Sequence, residues 1–129
     1  MTRDEWLELT VLERKKYNYL TEIQDLTKQI AESLDRNDQV STRMLVAMRQ
    51  DPIRHLAEVD NGEKTRVSTL TVGDQERVKA LGRGDPAQDD HERVYLEQAG
   101  KTRRLLEKVV ELDRRISIRM AGEHSFYQK

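Results

Sequence analysis

The first part of the chain repeats apolar side chains at alternating steps of three and four residues. Six of the eight positions in this register are apolar or aromatic, and the register comprises Leu9, Leu12, Lys16, Tyr19, Ile23, Leu26, Ile30 and Ser33. Such a heptad pattern is typical of an α-helix that buries one stripe. No glycine or proline interrupts residues 1–51. The pattern predicts a helix from about Thr2 to Leu34, about 50 Å long at 1.5 Å per residue.

Local signals favour both ends of this helix. Thr2 and Glu5 have the spacing of a capping box, in which each side chain accepts from the other residue's amide. The polar cluster from Asp35 to Asp38 suits a turn and a new N-cap. A second helix follows, and its apolar residues are Val40, Met44, Leu45 and Met48.

The middle of the chain, about residues 38–81, is predicted to be helical but broken. Pro52 lacks an amide donor and predicts a break or a kink. Alternatively, Asp51 caps a new segment with Pro52 in its first turn, and both alternatives keep 38–59 largely helical. Asp60-Asn61-Gly62 predicts a turn.

The segment after this turn has two possible conformations. Val67 to Val72 is rich in β-branched residues and favours a short extended segment. A lone strand is not stable, so tertiary contacts could hold the same residues helical. Asp74 is then the predicted N-cap of a short helix, residues 75–81, which ends at Gly82.

A second heptad register predicts the last helix, from about Pro86 to Ala121. Asp85 is its predicted N-cap, because proline is favoured at the first helical position. The register comprises Tyr95, Gln98, Thr102, Leu105, Val109, Leu112, Ile116 and Arg119. Gly122 is the predicted end, followed by a short tail over residues 122–129 that contains Phe126 and Tyr127.

Together these elements predict one all-α domain of 129 residues. Its architecture is an elongated, antiparallel coiled-coil-like bundle, with two long helices flanking the broken helical middle. The chain is 36% charged, with a mean hydropathy of -0.87, which is also compatible with disorder. The helical period of the apolar residues and a net charge of only -1 argue against disorder.

The near-neutral charge also argues against general nucleic-acid binding. Residues 1–35 are acidic and residues 101–129 basic, which predicts that the first and last helices pack together; a basic tail seeking an acidic partner is the alternative. The charged residues near Met1 exclude a signal peptide there, and no apolar run reaches the length of a membrane span. The lack of cysteine suits a cytoplasmic location.

The sequence offers no recognisable catalytic, cofactor or metal site, so we expect a binding protein rather than an enzyme. His55, His91 and His124 are far apart and lack the spacing of a helical zinc pair. The carboxylates between Asp89 and Glu92 lie in or near the first turn of the predicted last helix. The positive end of the helix dipole favours negative charge there, which explains them without a metal site. No phosphate-binding glycine loop or nucleophile elbow occurs.

Two features are candidates for partner binding. The methionines Met44, Met48 and Met120 are either ordinary core or an adaptable groove for a partner helix. Phe126 and Tyr127 either dock a partner or fold back onto the bundle.

The order of elements resembles the FlgN-type flagellar export chaperones. The resemblance rests on three parts: the junction AESLDRNDQVSTRML at residues 31–45, the amphipathic helix from Arg103 to Met120, and the apolar residues of the first helix. Those residues are Leu9, Leu12, Tyr19, Leu20, Ile23 and Leu26. The segment Val67 to Val72, Pro52 and the stretch from Gly82 to Pro86 depart from the more uniformly helical family pattern.

The resemblance implies a cytoplasmic chaperone, a monomer or weak homodimer, that binds hook-associated proteins and masks their helical termini before export. The candidate client surface is Leu105, Leu106, Val109, Leu112, Ile116 and Met120. Phe126 is a further docking residue, and Tyr127 a candidate contact with the export apparatus. The alternative for the apolar stripe is the internal seam of the bundle. The rival function is a homo-oligomeric coiled-coil scaffold or adaptor unrelated to secretion.

Overall fold

A computed structural model of the chain describes the backbone of residues 1–127 and the side chains of residues 1–122. Four helices follow one another: α1 (Arg3–Asp35), α2 (Gln39–Ser68), α3 (Val72–Gly82) and α4 (Asp90–Tyr127). Of the residues whose backbone is described, 88% are helical and none lies in a strand. The predicted all-α helical bundle is confirmed.

The signals at both ends of α1 act as predicted. Thr2 Oγ1 accepts from the Glu5 amide at 3.1 Å, while Glu5 Oε1 accepts from the Thr2 amide at 2.9 Å. After α1, Asn37 adopts a left-handed conformation with φ 54°. Asp38 then caps α2 by accepting from the Ser41 amide at 3.1 Å. Every position of the predicted α1 register is buried or half-buried.

The three long helices lie side by side, with α1 between the other two. α2 runs back along α1, so the pair is antiparallel. The short α3 then crosses near the start of α1, and α4 runs parallel to α1. At one end the ring centroids of Trp6 and Tyr95 are 5.3 Å apart. At the other end Arg119 pairs with Asp35 at 2.6 Å.

The core forms three layers along the axis of α1. The first layer, closed by α3, contains Trp6, Leu9, Val78, Leu81 and Tyr95. The middle layer contains Leu20, Ile23 and Val109. The third layer contains Leu26, Ile30, Leu34, Leu45 and Ile116. Every layer includes residues of α1 and α4, so the predicted packing of the first helix against the last is confirmed.

The predicted turn at Asp60-Asn61-Gly62 is wrong, because α2 continues through it to Ser68. Lys16 of α1 forms ion pairs with Asp60 at 3.5 Å and with Glu63 at 3.2 Å. These tertiary contacts hold the segment helical despite its local turn propensity. Pro52 lies inside α2, so Asp51 does not begin a separate helix.

The connections on either side of α3 also differ from prediction. α2 ends at Ser68, and Val72 already begins α3, so residues 67–72 form no extended segment. The N-cap of α3 is Thr71 rather than Asp74, whose amide donates to Thr71 Oγ1 at 3.2 Å. α4 begins at Asp90 rather than at Pro86. Its cap is Asp89, which accepts from the Glu92 amide at 2.8 Å.

The last helix does not end at Gly122 but continues to Tyr127. A glycine ends a helix when its backbone turns left-handed, and the glycine with a positive φ in the described part is Gly84. The predicted tail from residue 122 is therefore helical as far as Tyr127. The side chains of Phe126 and Tyr127 lie outside the described residues.

Candidate functional site

The predicted client surface on α4 divides into buried and exposed residues. Val109 and Ile116 are buried in the core, and Leu105, Leu112 and Met120 are half-buried. Leu106 is different, because 44% of it remains exposed. The α4 stripe therefore forms the internal seam of the bundle, and Leu106 lies at its margin. A role for these residues in partner binding stays a prediction.

The backbones of the two outer helices stay apart. In the described residues, no Cα atom of α2 lies within 8 Å of a Cα atom of α4, although both helices approach α1 this closely along their lengths. Closely packed helices have axes 8–10 Å apart. The space between α2 and α4 is thus wider than an ordinary helix interface, and α1 lies beneath it.

One buried arginine bridges this space. Arg49 of α2 donates from Nη1 to Asp113 of α4 at 2.6 Å and to Thr27 of α1 at 3.2 Å. Its side chain is 12% exposed, and its Nε atom is buried without a partner. Because a buried guanidinium needs a charged partner, the Arg49–Asp113 contact fixes α2 and α4 at this point.

Apolar side chains flank the space next to this bridge. Val110 and Leu106 precede Asp113 by three and seven residues, so they lie on the same side of α4. Ile53 follows Arg49 by one turn of α2. Since α2 and α4 are antiparallel, these three side chains line the same stretch. They are exposed at 37% (Ile53), 44% (Leu106) and 57% (Val110).

We call this feature the α2–α4 groove. From helix periodicity we infer that Ile53, Leu106 and Val110 lie along its sides, next to the Arg49–Asp113 bridge. Its floor is the middle core layer, against which the half-buried Leu56 and Leu105 pack. Sequence reasoning identified Leu106 but missed Ile53 and Val110. The detectable signal was the position of Val110 beside the heptad seam, one turn after Leu106.

A second unusual cluster lies where α1 meets the last part of α2. Lys16 Nζ is 3.0 Å from Glu13, 3.2 Å from Glu63 and 3.5 Å from Asp60. The Glu63 contact lacks the geometry of a hydrogen bond, so we treat it as ionic. On the α4 side, Thr102 donates to the Glu13 carbonyl oxygen at 3.1 Å.

Burial changes the protonation of this cluster. Burial, together with a hydrogen bond and negative charge from Glu13, raises the pKa of Glu63 to about 8, although Lys16 opposes the shift. Burial, with the charges of Glu13 and Glu63, also raises the pKa of Tyr95 on α4. The like charge of Glu13 therefore disfavours ionisation of Glu63.

Several of the remaining candidates for chemistry have structural partners, and the side chain of His124 lies outside the described residues. His55 stacks on Tyr19 with ring centroids 5.3 Å apart. Glu92 binds Arg77, whose Nε donates to it at 2.7 Å, and Asp90 accepts from Arg93 at 2.8 Å. Among residues whose placement is described, no three His, Cys, Asp or Glu side chains are grouped to hold a metal ion. Within the same residues, no helix is both long and apolar enough to span a bilayer.

The chain was also compared with proteins of known family, function or structure. No protein-family model, no curated protein and no solved structure matches it.

Proposed function

We propose that this chain is a helical binding protein that holds an amphipathic helix of a partner protein in the α2–α4 groove. The observation that supports this most directly is the separation of α2 from α4 above an apolar floor. Exposed Ile53, Leu106 and Val110 line the opening. Grooves of this kind accept the apolar face of a partner helix.

The partner is proposed from the resemblance to FlgN-type export chaperones. We propose that the protein is a cytoplasmic secretion chaperone that masks the helical termini of hook-associated proteins before flagellar export. While it is bound in the groove, a client helix would make apolar contacts with the chaperone. These contacts would take the place of those that the helix makes with other subunits after assembly. The all-α bundle and the position of Leu106 in the groove support this proposal, and a monomer or weak homodimer would leave the groove free.

Charged substitutions in the groove test the proposal. Leu106→Glu and Val110→Glu place a carboxylate against the client's apolar face but leave the core layers intact. We expect each to weaken binding of a labelled hook-associated terminal peptide by at least about tenfold, equivalent to about 1.4 kcal/mol. The measurement is fluorescence anisotropy, with helicity checked by circular dichroism.

The matched control is Val94→Glu on the same helix. Val94 is 50% exposed and lies in a different pocket, beside Arg3, Trp6 and His91. The Val94→Glu variant should bind the peptide with the same affinity as the parent protein. Equal affinity of the parent and both groove variants would contradict the proposed site, and failure of the parent to bind any such terminus would contradict the chaperone class.

A homo-oligomeric scaffold is the second candidate, and one observation favours it. Val40, Met44 and Met48 are exposed on α2 and spaced four residues apart, so they form one apolar stripe. A second copy of the chain could cover such a stripe. Light scattering over a range of concentrations separates the two functions, because a scaffold stays a tight oligomer on dilution and a chaperone does not.

A further inference from the structure

The two halves of α2 are attached to α1 by different forces. In the first half Thr42, Leu45 and Pro52 are buried, and Leu45 belongs to the third core layer. In the second half, residues 53–68, which the structure describes completely, the single buried residue is Glu63. The apolar residues there are half-buried or exposed. The first half therefore places fully buried apolar side chains in the core, whereas the second half contributes half-buried ones, among them Leu56 and Val67.

Polar contacts supplement this partial apolar packing in the second half. Arg66 donates to Glu8 of α1 at 2.7 Å, and His55 stacks on Tyr19. The buried contact is the one that Asp60 and Glu63 make with Lys16. Since exposed ion pairs contribute little to stability, the buried cluster is the strongest of these polar contacts.

The cluster contains more negative than positive charge. Glu13 and Lys16 belong to α1, Asp60 and Glu63 to α2, and Tyr95 faces the cluster from α4. Asp60 is half-exposed and also pairs with Lys64 at 3.0 Å. Glu13 and Glu63, with side chains 7% and 12% exposed, are left to share Lys16. Two buried carboxylates beside one ammonium carry an uncompensated charge unless one of them is protonated.

Pro52 marks the boundary between the two halves. Proline has no amide hydrogen, so the bond to the carbonyl of residue 48 is missing from the backbone ladder. Helices bend most readily where such a bond is absent. The polar half of α2 therefore begins at the weakest point of the helix backbone.

We propose that residues 53–68 of α2 form a pH-gated arm, which stays packed on α1 while the buried Glu63 carboxyl holds a proton and loosens about Pro52 when that proton leaves. The charge cluster drives the change, and Pro52 localises it. The first half of α2 stays in place because Leu45 remains in the core. The arm is inferred from these contacts alone and does not rest on the proposed chaperone function.

The protonation equilibria of the neighbours fit this arrangement. The raised pKa of Glu63, about 8, places the loss of its proton near neutral to mildly alkaline pH. Burial lowers the pKa of Lys16, but the charges of Glu13 and Glu63 outweigh burial and the net shift is upward. Burial likewise disfavours the charge on Asp60, but Lys64 and Lys16 outweigh it and lower the pKa of Asp60. Glu63 is therefore the group that loses its proton in this range, while Lys16 and Asp60 stay charged.

Hydrogen exchange of the full chain tests the arm. Exchange is measured at about pH 6.5 and about pH 9.5, on either side of 8, and corrected for the intrinsic pH dependence. We expect amides in residues 53–68 to lose at least about tenfold protection at the higher pH, while residues 40–50 change much less. Equal protection of the arm at both values would overturn the proposal.

Two variants identify the group responsible. Glu63→Gln keeps a hydrogen-bonding side chain without a titrating proton, and its arm should have the same protection at both pH values. The control is Glu58→Gln, because Glu58 is an exposed glutamate of the same segment. It should behave like the parent. An arm that loosens equally in Glu63→Gln would assign the change to another group and overturn the mechanism.

A direct titration of the parent protein tests the proposal even if the Glu63→Gln variant does not fold. Carbon-detected NMR of the glutamate carboxyl groups in the parent protein should show Glu63 titrating near pH 8. Its midpoint should coincide with the pH at which the arm loses protection. A Glu63 midpoint near the ordinary 4.5 would overturn the proposal without any substitution.

Discussion

Ile30 and Ile118 are the same side chain in opposite surroundings. Ile30 is completely buried in the third core layer, whereas Ile118 on α4 is 59% exposed. The helical propensity of isoleucine is the same at both positions, so a difference in their contributions to stability reports burial alone.

Truncation at the two positions should therefore have very different effects. Ile30→Ala removes buried methyl groups and leaves a cavity, and we expect it to lower the free energy of unfolding by about 2–5 kcal/mol. Ile118→Ala should change it by less than about 0.5 kcal/mol. Urea unfolding monitored by circular dichroism measures both. A small loss for Ile30→Ala would mean that the third layer is not tightly packed.

Glu63 should give the protein's stability a distinct dependence on pH. Its pKa is about 8 in the folded chain and 4.5 ordinarily, so the folded state holds a proton that the unfolded state has lost between these values. This contribution is fully present below 4.5 and disappears as the pH rises to about 8. The slope is at most about 1.4 kcal/mol per pH unit.

The comparison with Glu63→Gln isolates this effect from other carboxylates. We expect the variant to become more stable relative to the parent as the pH rises from 5 to 8, a range that lies within the two pKa values. Unfolding in urea at several pH values provides the measurement. Parallel pH profiles for parent and variant would show that Glu63 ionises normally in the folded chain.

At the scale of the elements, sequence patterns predicted α1 fully and α2 only in part. The register and cap of α1 are local features, and burial of one stripe follows from them directly. The continuation of α2 through Asn61 and Gly62 depends on Lys16, which lies more than forty residues earlier. The start of α4 was misplaced because Asp85-Pro86 and Asp89 both offer caps, and contacts of Arg77 with Pro86 and Glu92 favour the second.

The candidate site was less predictable than the fold. Leu106 belonged to a recognisable apolar stripe, but predicting the groove requires knowledge of the distance between α2 and α4. That distance depends on how both helices pack on α1 and on the Arg49–Asp113 bridge. No spacing within either helix encodes it.

Two glycines give a prediction at this scale. Gly62 lies inside α2, and a Cβ atom there would meet no atom within 4 Å. Gly62→Ala should therefore stabilise the protein by about 0.5–1 kcal/mol, since alanine is the better helix former. Gly84 also has open space but adopts φ 96°. Gly84→Ala should destabilise the protein by about 1–2 kcal/mol through backbone strain.

Thermal unfolding of the two variants beside the parent measures these opposite effects. The pair is informative because both substitutions add the same methyl group at an exposed position. A loss of stability in Gly62→Ala would indicate that α2 is interrupted at the predicted turn after all.

At the scale of the whole molecule, three long helices around one axis make an elongated particle. α1 has 33 residues and is about 50 Å long at 1.5 Å per residue. A compact globule of this chain length has a radius of gyration of about 14 Å. A rod of the observed length and three-helix width should give about 17 Å.

Small-angle X-ray scattering of a dilute sample distinguishes these shapes. We expect the larger radius, with a molecular mass from forward scattering that corresponds to one chain. A mass of two or more chains that persists on dilution would favour the scaffold over the chaperone.

The central position of α1 also determines the order in which the chain can assemble during synthesis. The turn that joins α1 to α2 is short, so these helices can pair while the rest of the chain is still being made. Contacts between α1 and α4 join residues far apart in sequence, as do Thr102 with Glu13 and Arg119 with Asp35, separated by 89 and 84 positions. Distant contacts form late because closing a long loop costs entropy. Of the four helices, we therefore expect α4 to dock last, and until it does, Leu20 and Ile23 lack the cover that Val109 gives them in the middle layer.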